Sequence, residues 1–115
     1  MSELPVPAPA TELARWAHDL VLACCPAHVV AHSERSFQFA ALVARAEPDE
    51  VDMEVLYIGT ILHDVGLAAR FDGPERFEMR GANVVRTMLL EAGMQTACAE
   101  SVWDVIALQA RPNIN

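Results

Sequence analysis

The sequence predicts an all-α fold, a bundle of about five helices. Apolar residues recur at three- and four-residue spacing through most of the chain. Caps, glycines and prolines bound the segments patterned this way. Ala, Leu and Val are abundant, whereas aromatic residues are limited to two Trp, one Tyr and four Phe. That mix favours helices packed through small side chains over a β-sandwich. No strand-like alternation, internal repeat or low-complexity tract interrupts the pattern.

The 115 residues allow one domain with one modest core. Residues 1–10, with Pro5, Pro7 and Pro9 among small residues, read as a flexible lead-in, and residues 11–115 as a single helical domain. Thr11 is placed to cap a first helix that carries Glu12 in its first turn and stops at Pro26. Leu13, Trp16, Ala17, Leu20, Val21 and Cys24 form its apolar face.

A second helix is predicted over residues 26–45. Val29, Ser33, Phe37, Ala40 and Ala44 line one face, and His32, Phe39 and Val43 lie near another. A helix apolar most of the way round belongs in the middle of a fold, which would bury His32. Glu47-Pro48-Asp49 breaks the pattern. A third helix spans about residues 51–64, with Gly66 placed as a left-handed stop. After a loop over 67–75, Asp72-Gly73-Pro74 opens a fourth helix, residues 74–92, which Gly93 closes. The fifth covers about residues 96–110 and stops before Pro112.

Sixteen acidic residues against eight basic ones give a formal charge of −8, which repels nucleic-acid backbones and anionic membranes. No segment approaches the about 18 consecutive apolar residues of a membrane helix, and the N-terminus lacks the basic and apolar regions of a signal peptide. The three cysteines, Cys24, Cys25 and Cys98, are odd in number and lack CxxC spacing. They read as free, inert thiols in a reducing cytoplasm rather than a disulfide framework or thiolate zinc site.

The adjacent pair His63-Asp64 is the strongest chemical signal. An imidazole and a carboxylate just ahead of a glycine can aim two donors at one divalent cation, because neighbours on a regular helix diverge by about 100° and converge best where the helix ends. An isolated pair of this kind is more often a helix-end histidine complementing the dipole beside a solvated carboxylate. Two further points shift that balance. Ile61-Leu62 leads His63 into the core, and His32 sits on an apolar helix. Buried imidazoles need partners, and one shared metal satisfies both. His28, one turn before His32, reads as a surface residue, and His18 as solvated.

Four motifs in order resemble the HD-domain superfamily of metal-dependent hydrolases, and within it the cyanamide hydratase-like group. They are His32-Ser33-Glu34-Arg35-Ser36-Phe37, Leu62-His63-Asp64-Val65-Gly66-Leu67, Arg76-Phe77-Glu78-Met79-Arg80-Gly81-Ala82 and Val102-Trp103-Asp104-Val105-Ile106-Ala107-Leu108. The resemblance implies a helical domain around a divalent metal, zinc first, with iron or manganese as alternatives. It implies that His32, His63 and Asp64 ligate this metal and that Asp64 also orients a catalytic water. The chain departs from the family twice. Gln109 stands where a histidine is usual, and the pattern's last aspartate has no counterpart after Asp104.

The implied activity is hydration or hydrolysis of a small nitrogen-containing molecule, cyanamide or nitrile-like, by metal-activated water. Arg35, Arg76 and Gln109 are candidate substrate contacts. The alternatives are nucleotide phosphohydrolysis, disfavoured by the few cations near the motifs, and a degenerate HD module serving in metal binding or assembly. A five-helix piece of the longer family pattern would expose apolar surface, so the expected partners are a small-molecule substrate and a second copy of the chain in a homo-oligomer, domain-swapped or not.

Overall fold

The computed structural model describes residues 6–46, 52–67 and 76–108. Among these the chain is all-α: α1 Glu12–Cys24, α2 Ala27–Arg45, α3 Met53–Ile61, α4 Phe77–Glu91 and α5 Thr96–Leu108, with one 3₁₀ turn, Val65–Leu67, between α3 and α4. No helix is long and apolar enough to cross a membrane.

Local chemistry sets most boundaries where the sequence places them. The Thr11 hydroxyl accepts from the Ala14 amide at 3.1 Å, satisfying one of the unpaired first-turn donors of α1. Pro26 then ends α1 and opens α2. The Asp52 carboxylate caps α3 through the amides of Glu54 and Val55. Gly93, at φ +96°, closes α4 in the left-handed conformation that a side chain disfavours. The fourth helix starts at Phe77 rather than Pro74, and the expected turn at Asp72-Gly73-Pro74 lies outside the described residues.

The central helix is α3, not α2. Val55 and every residue from Tyr57 to Ile61 of α3 are buried, and α1, α2 and α5 all pack on it. α2 buries a single face, Val30, Ser33, Phe37 and Ala41, and leaves Phe39, Leu42 and Val43 exposed. The apolar character of α2 therefore reflects alanines and surface aliphatics rather than encirclement. α2 and α3 run antiparallel: Phe37 meets Tyr57 edge-on at 4.9 Å between ring centroids, whereas His32, earlier on α2, meets His63, beyond the end of α3.

Two glycines admit close approach. A Cβ on Gly59 would fall 2.6 Å from Val105 Cγ1, so α5 crosses α3 directly above it. A Cβ on Gly81 would fall 2.9 Å from the Gly66 amide nitrogen. α4 and α5 are joined further by a 2.8 Å hydrogen bond from Trp103 Nε1 to Asn83 Oδ1 and by the Arg86–Glu100 ion pair. The lead-in is coil over its described residues 6–10, yet Val6 is buried and exchanges two backbone hydrogen bonds with the Gln38 amide. The lead-in is thus anchored at Val6.

Candidate metal centre

His63 and Asp64 are not in the last turn of α3. The helix ends at Ile61, Leu62 takes a C-cap conformation at φ −104° and ψ 8°, and the chain tightens into the 3₁₀ turn. Gly66 is therefore not the left-handed stop the sequence predicted: among the described residues the one glycine with positive φ is Gly93. The departure from helical geometry at Leu62 lets two neighbours share a target that a continuing helix would deny them.

Leaving the helix also frees a backbone acceptor. The Thr60 carbonyl accepts from His63 Nδ1. A carbonyl can only accept, so Nδ1 carries the proton and the neutral ring presents its Nε2 lone pair on the other side. That Nε2 lies 3.3 Å from His32 Nε2 and 3.2 Å from Asp64 Oδ2, with His32 Nε2 and Asp64 Oδ2 3.6 Å apart. Three electron-pair donors facing one another at these distances repel unless a cation joins them.

Without a metal the cation is a proton. Burial by itself lowers the pKa of His63, but the hydrogen bonds it donates to Asp64 and to the Thr60 carbonyl and the Asp64 charge together outweigh it, and the result is raised above the ordinary 6.5. The hydrogen bond from His63 holds the Asp64 carboxyl below its ordinary range against the opposing effect of burial, and the charges of His63 and His32 add to the shift.

The donor set fits a divalent metal. For ligands at the usual zinc distances of about 2.0–2.1 Å, the edges of a coordination tetrahedron are about 3.3–3.4 Å, which the three observed separations bracket. Two imidazoles and one carboxylate suit zinc, iron or manganese. His63 is buried, Asp64 is mostly so, and the His32 side chain is 54% exposed. His32 is thus not indoors as the sequence predicted: it flanks the inward face of α2 and opens the centre to solvent on one side.

The HD domain family model matches residues 29–113, about three quarters of the chain. The chain belongs to the HD domain family. Membership places it in a superfamily of metal-dependent hydrolases and agrees with the all-α architecture. No curated protein and no solved structure matches the chain.

Of the other candidate residues of this HD domain, the structure describes Arg35 and Arg76. Arg35 lines a cavity of about 540 Å³ with Val6, His18, Phe37, Gln38 and Tyr57, and none of the three candidate ligands lines it. Convergence of donors, rather than cavity size, marks the chemistry. Arg76 is exposed at the N-cap of α4, and Gln109 lies outside the described residues. His18, expected to be solvated, pairs with Glu34 at 3.3 Å, and His28 is exposed. Cys24, Cys25 and Cys98 form no disulfide among the described residues and are partly buried, and burial, then the neighbouring Cys24, raises the Cys25 thiol. Thr60 was missed by sequence reasoning, because its contribution is a carbonyl that only the end of α3 releases.

Proposed function

We propose that this HD domain is a metal-dependent hydratase or hydrolase of a small, uncharged, nitrogen-containing molecule, of the cyanamide or nitrile type. The observation that carries the reading is the convergence of His32 Nε2, His63 Nε2 and Asp64 Oδ2, three donors from two elements within 4.8 Å of one another. Three protein ligands leave positions for water and substrate, as in catalytic rather than structural sites. When bound, the metal, zinc in our reading and iron or manganese otherwise, supplies Lewis acidity that makes water nucleophilic near neutral pH.

The chain's own groups contribute orientation and a proton site. Thr60 holds His63 in the ligating tautomer, and the apolar chain neighbours Ile61, Leu62 and Val65 are fully buried. Asp64 is mostly buried yet ionised, with a second oxygen able to orient a water molecule. The exposed edge of His32 leaves an approach for a small substrate.

Among the described residues, the charges that act on Asp64 are those of the two imidazoles. A phosphate ester would require charge-assisted donors at this point, so a neutral substrate fits better than a nucleotide. The motifs at Arg76–Ala82 and Val102–Leu108, similar to those of the cyanamide hydratase-like group, support the same class.

Metal analysis of purified, reconstituted protein tests the reading. One equivalent of zinc, iron or manganese in the wild type and loss of it in His63→Ala are expected, followed by turnover of cyanamide or a small nitrile. Protein that stays metal-free after reconstitution would sink the proposal. A metal-replete protein that turns over only phosphate esters would sink the substrate class.

A further inference from the structure

We infer that α4 holds the metal centre in register from behind, with Arg80 and Gly81 acting as positioning residues for His63 and Asp64 through the turn that carries them. The inference rests on the metal-binding reading above and extends it to residues that touch neither metal nor substrate.

The turn is held by few bonds of its own backbone. Leu62 makes the last α-helical bond, to the Ile58 carbonyl at 3.1 Å; beyond it the His63 amide reaches the Thr60 carbonyl at a long 3.4 Å and the Val65 amide reaches the Leu62 carbonyl at 3.0 Å, both with the shorter 3₁₀ spacing. One more helical turn of α3 would be the competing conformation. In it the Asp64 amide would claim the Thr60 carbonyl as its fourth-residue partner. His63 Nδ1 would lose its acceptor, the tautomer would be free to switch, and His63 and Asp64 would splay apart. Something outside the turn must therefore hold it off the helical path.

α4 supplies that hold by two contacts. Arg80 Nη2 donates to the Gly66 carbonyl at 3.1 Å, two residues beyond Asp64. Gly81 lets the α4 backbone press against Gly66: an added Cβ would meet Gly66 N at 2.9 Å, Gly66 Cα at 3.2 Å and Val65 Cγ1 at 3.5 Å. The two nearest atoms are backbone, so the strain of a side chain at position 81 is relieved only by moving the turn or the helix. Gly81 and Val65 are both buried, which leaves no slack on either side. A steric seat and a directed hydrogen bond from adjacent α4 residues thus fix the same residue, Gly66, from both of its peptide units.

The test is Co(II) binding to the metal-free full chain, read as affinity and as the visible d–d spectrum, for wild type, Arg80→Ala, Arg80→Lys and Gly81→Ala. Helical circular dichroism and thermal unfolding are recorded on each metal-free protein. Arg80→Ala and Gly81→Ala are expected to bind Co(II) about 10-fold more weakly, at the low end of what outer-shell changes cost, with an altered d–d band. Arg80→Lys, which keeps a donor, is expected to recover part of the affinity. Arg80→Ala with wild-type affinity and spectrum overturns the inference while leaving the metal reading intact. So does a loss of affinity that merely tracks lost helicity or a lowered midpoint. A wild type that takes up no Co(II) overturns both.

Discussion

His63 and Asp64 shift each other's protonation in opposite directions, and this gives the metal-free protein a defined pH profile. His63 has a folded pKa above its unfolded value, so its contribution to stability is complete below about pH 6.5 and is lost as pH rises through the folded value. Asp64 has a folded pKa below its unfolded value, so its contribution is complete above the ordinary carboxylate range and is lost as pH falls through the folded value. Both contributions coexist in mildly acidic solution. Thermal unfolding of the metal-free protein is expected to show a higher midpoint near pH 5.5 than near pH 8.5 from this pair, a difference that Asp64→Asn should shrink. Metal uptake should follow the opposite trend, weakening as pH falls, because ligation needs the imidazoles unprotonated. Titration calorimetry at pH 6 and pH 8 in matched buffers measures it.

Each helix is stabilised differently, and the differences show in single substitutions. α1 depends on its cap: Thr11→Ala removes the acceptor for the Ala14 amide and should cost about 1 kcal/mol in denaturant unfolding. α3 depends on close packing. Gly59→Ala forces a methyl against Val105 and should cost about 1–3 kcal/mol, since the neighbour is a side chain fixed on α5 rather than a flexible tip. α2 carries a correctable flaw: Ser33 is fully buried and its hydroxyl has no hydrogen-bond partner among the described residues. Ser33→Ala should raise stability by about 1 kcal/mol by removing an uncompensated polar group from a helix interior. Unchanged stability, or a loss, would mean that the hydroxyl has a partner in solution.

At the scale of the whole molecule, a contiguous core runs from Val21 and Phe37 through Ile58, Ile61 and Leu62 to Leu89, Val102 and Ile106. The triad sits at its edge, where α2 meets the turn beyond α3. That position joins an apolar backing to a solvent-open front. Outside the core, Phe39 is 70% exposed, and Leu42 and Val43 on the adjoining turn are exposed with it. Burying this face between two copies is the self-association we propose, and sedimentation velocity at micromolar concentration should show a species heavier than the monomer. A single monomeric species over that range would count against it, and so would Phe39→Glu leaving the distribution unchanged.

Much of this HD domain was legible from residue order alone, because caps, stops and helical periodicity act over a few residues. Thr11, Pro26 and Gly93 sit where local chemistry puts them, and the five-helix order follows from them. His32, His63 and Asp64 were identifiable as metal-ligand candidates because two imidazoles and a carboxylate are a fitting donor set for a divalent metal and stand in motifs that resemble those of the HD family. Tertiary structure decided the rest. It made α3 rather than α2 the central helix, since burial depends on what packs against a helix and not on how apolar the helix is. It ended α3 three residues early, because a turn backed by Arg80 and Gly81 from another helix is set by contacts that sequence spacing does not encode. That early ending aims His63 and Asp64 at one point, and it releases the Thr60 carbonyl that turns a neutral imidazole into a directed ligand.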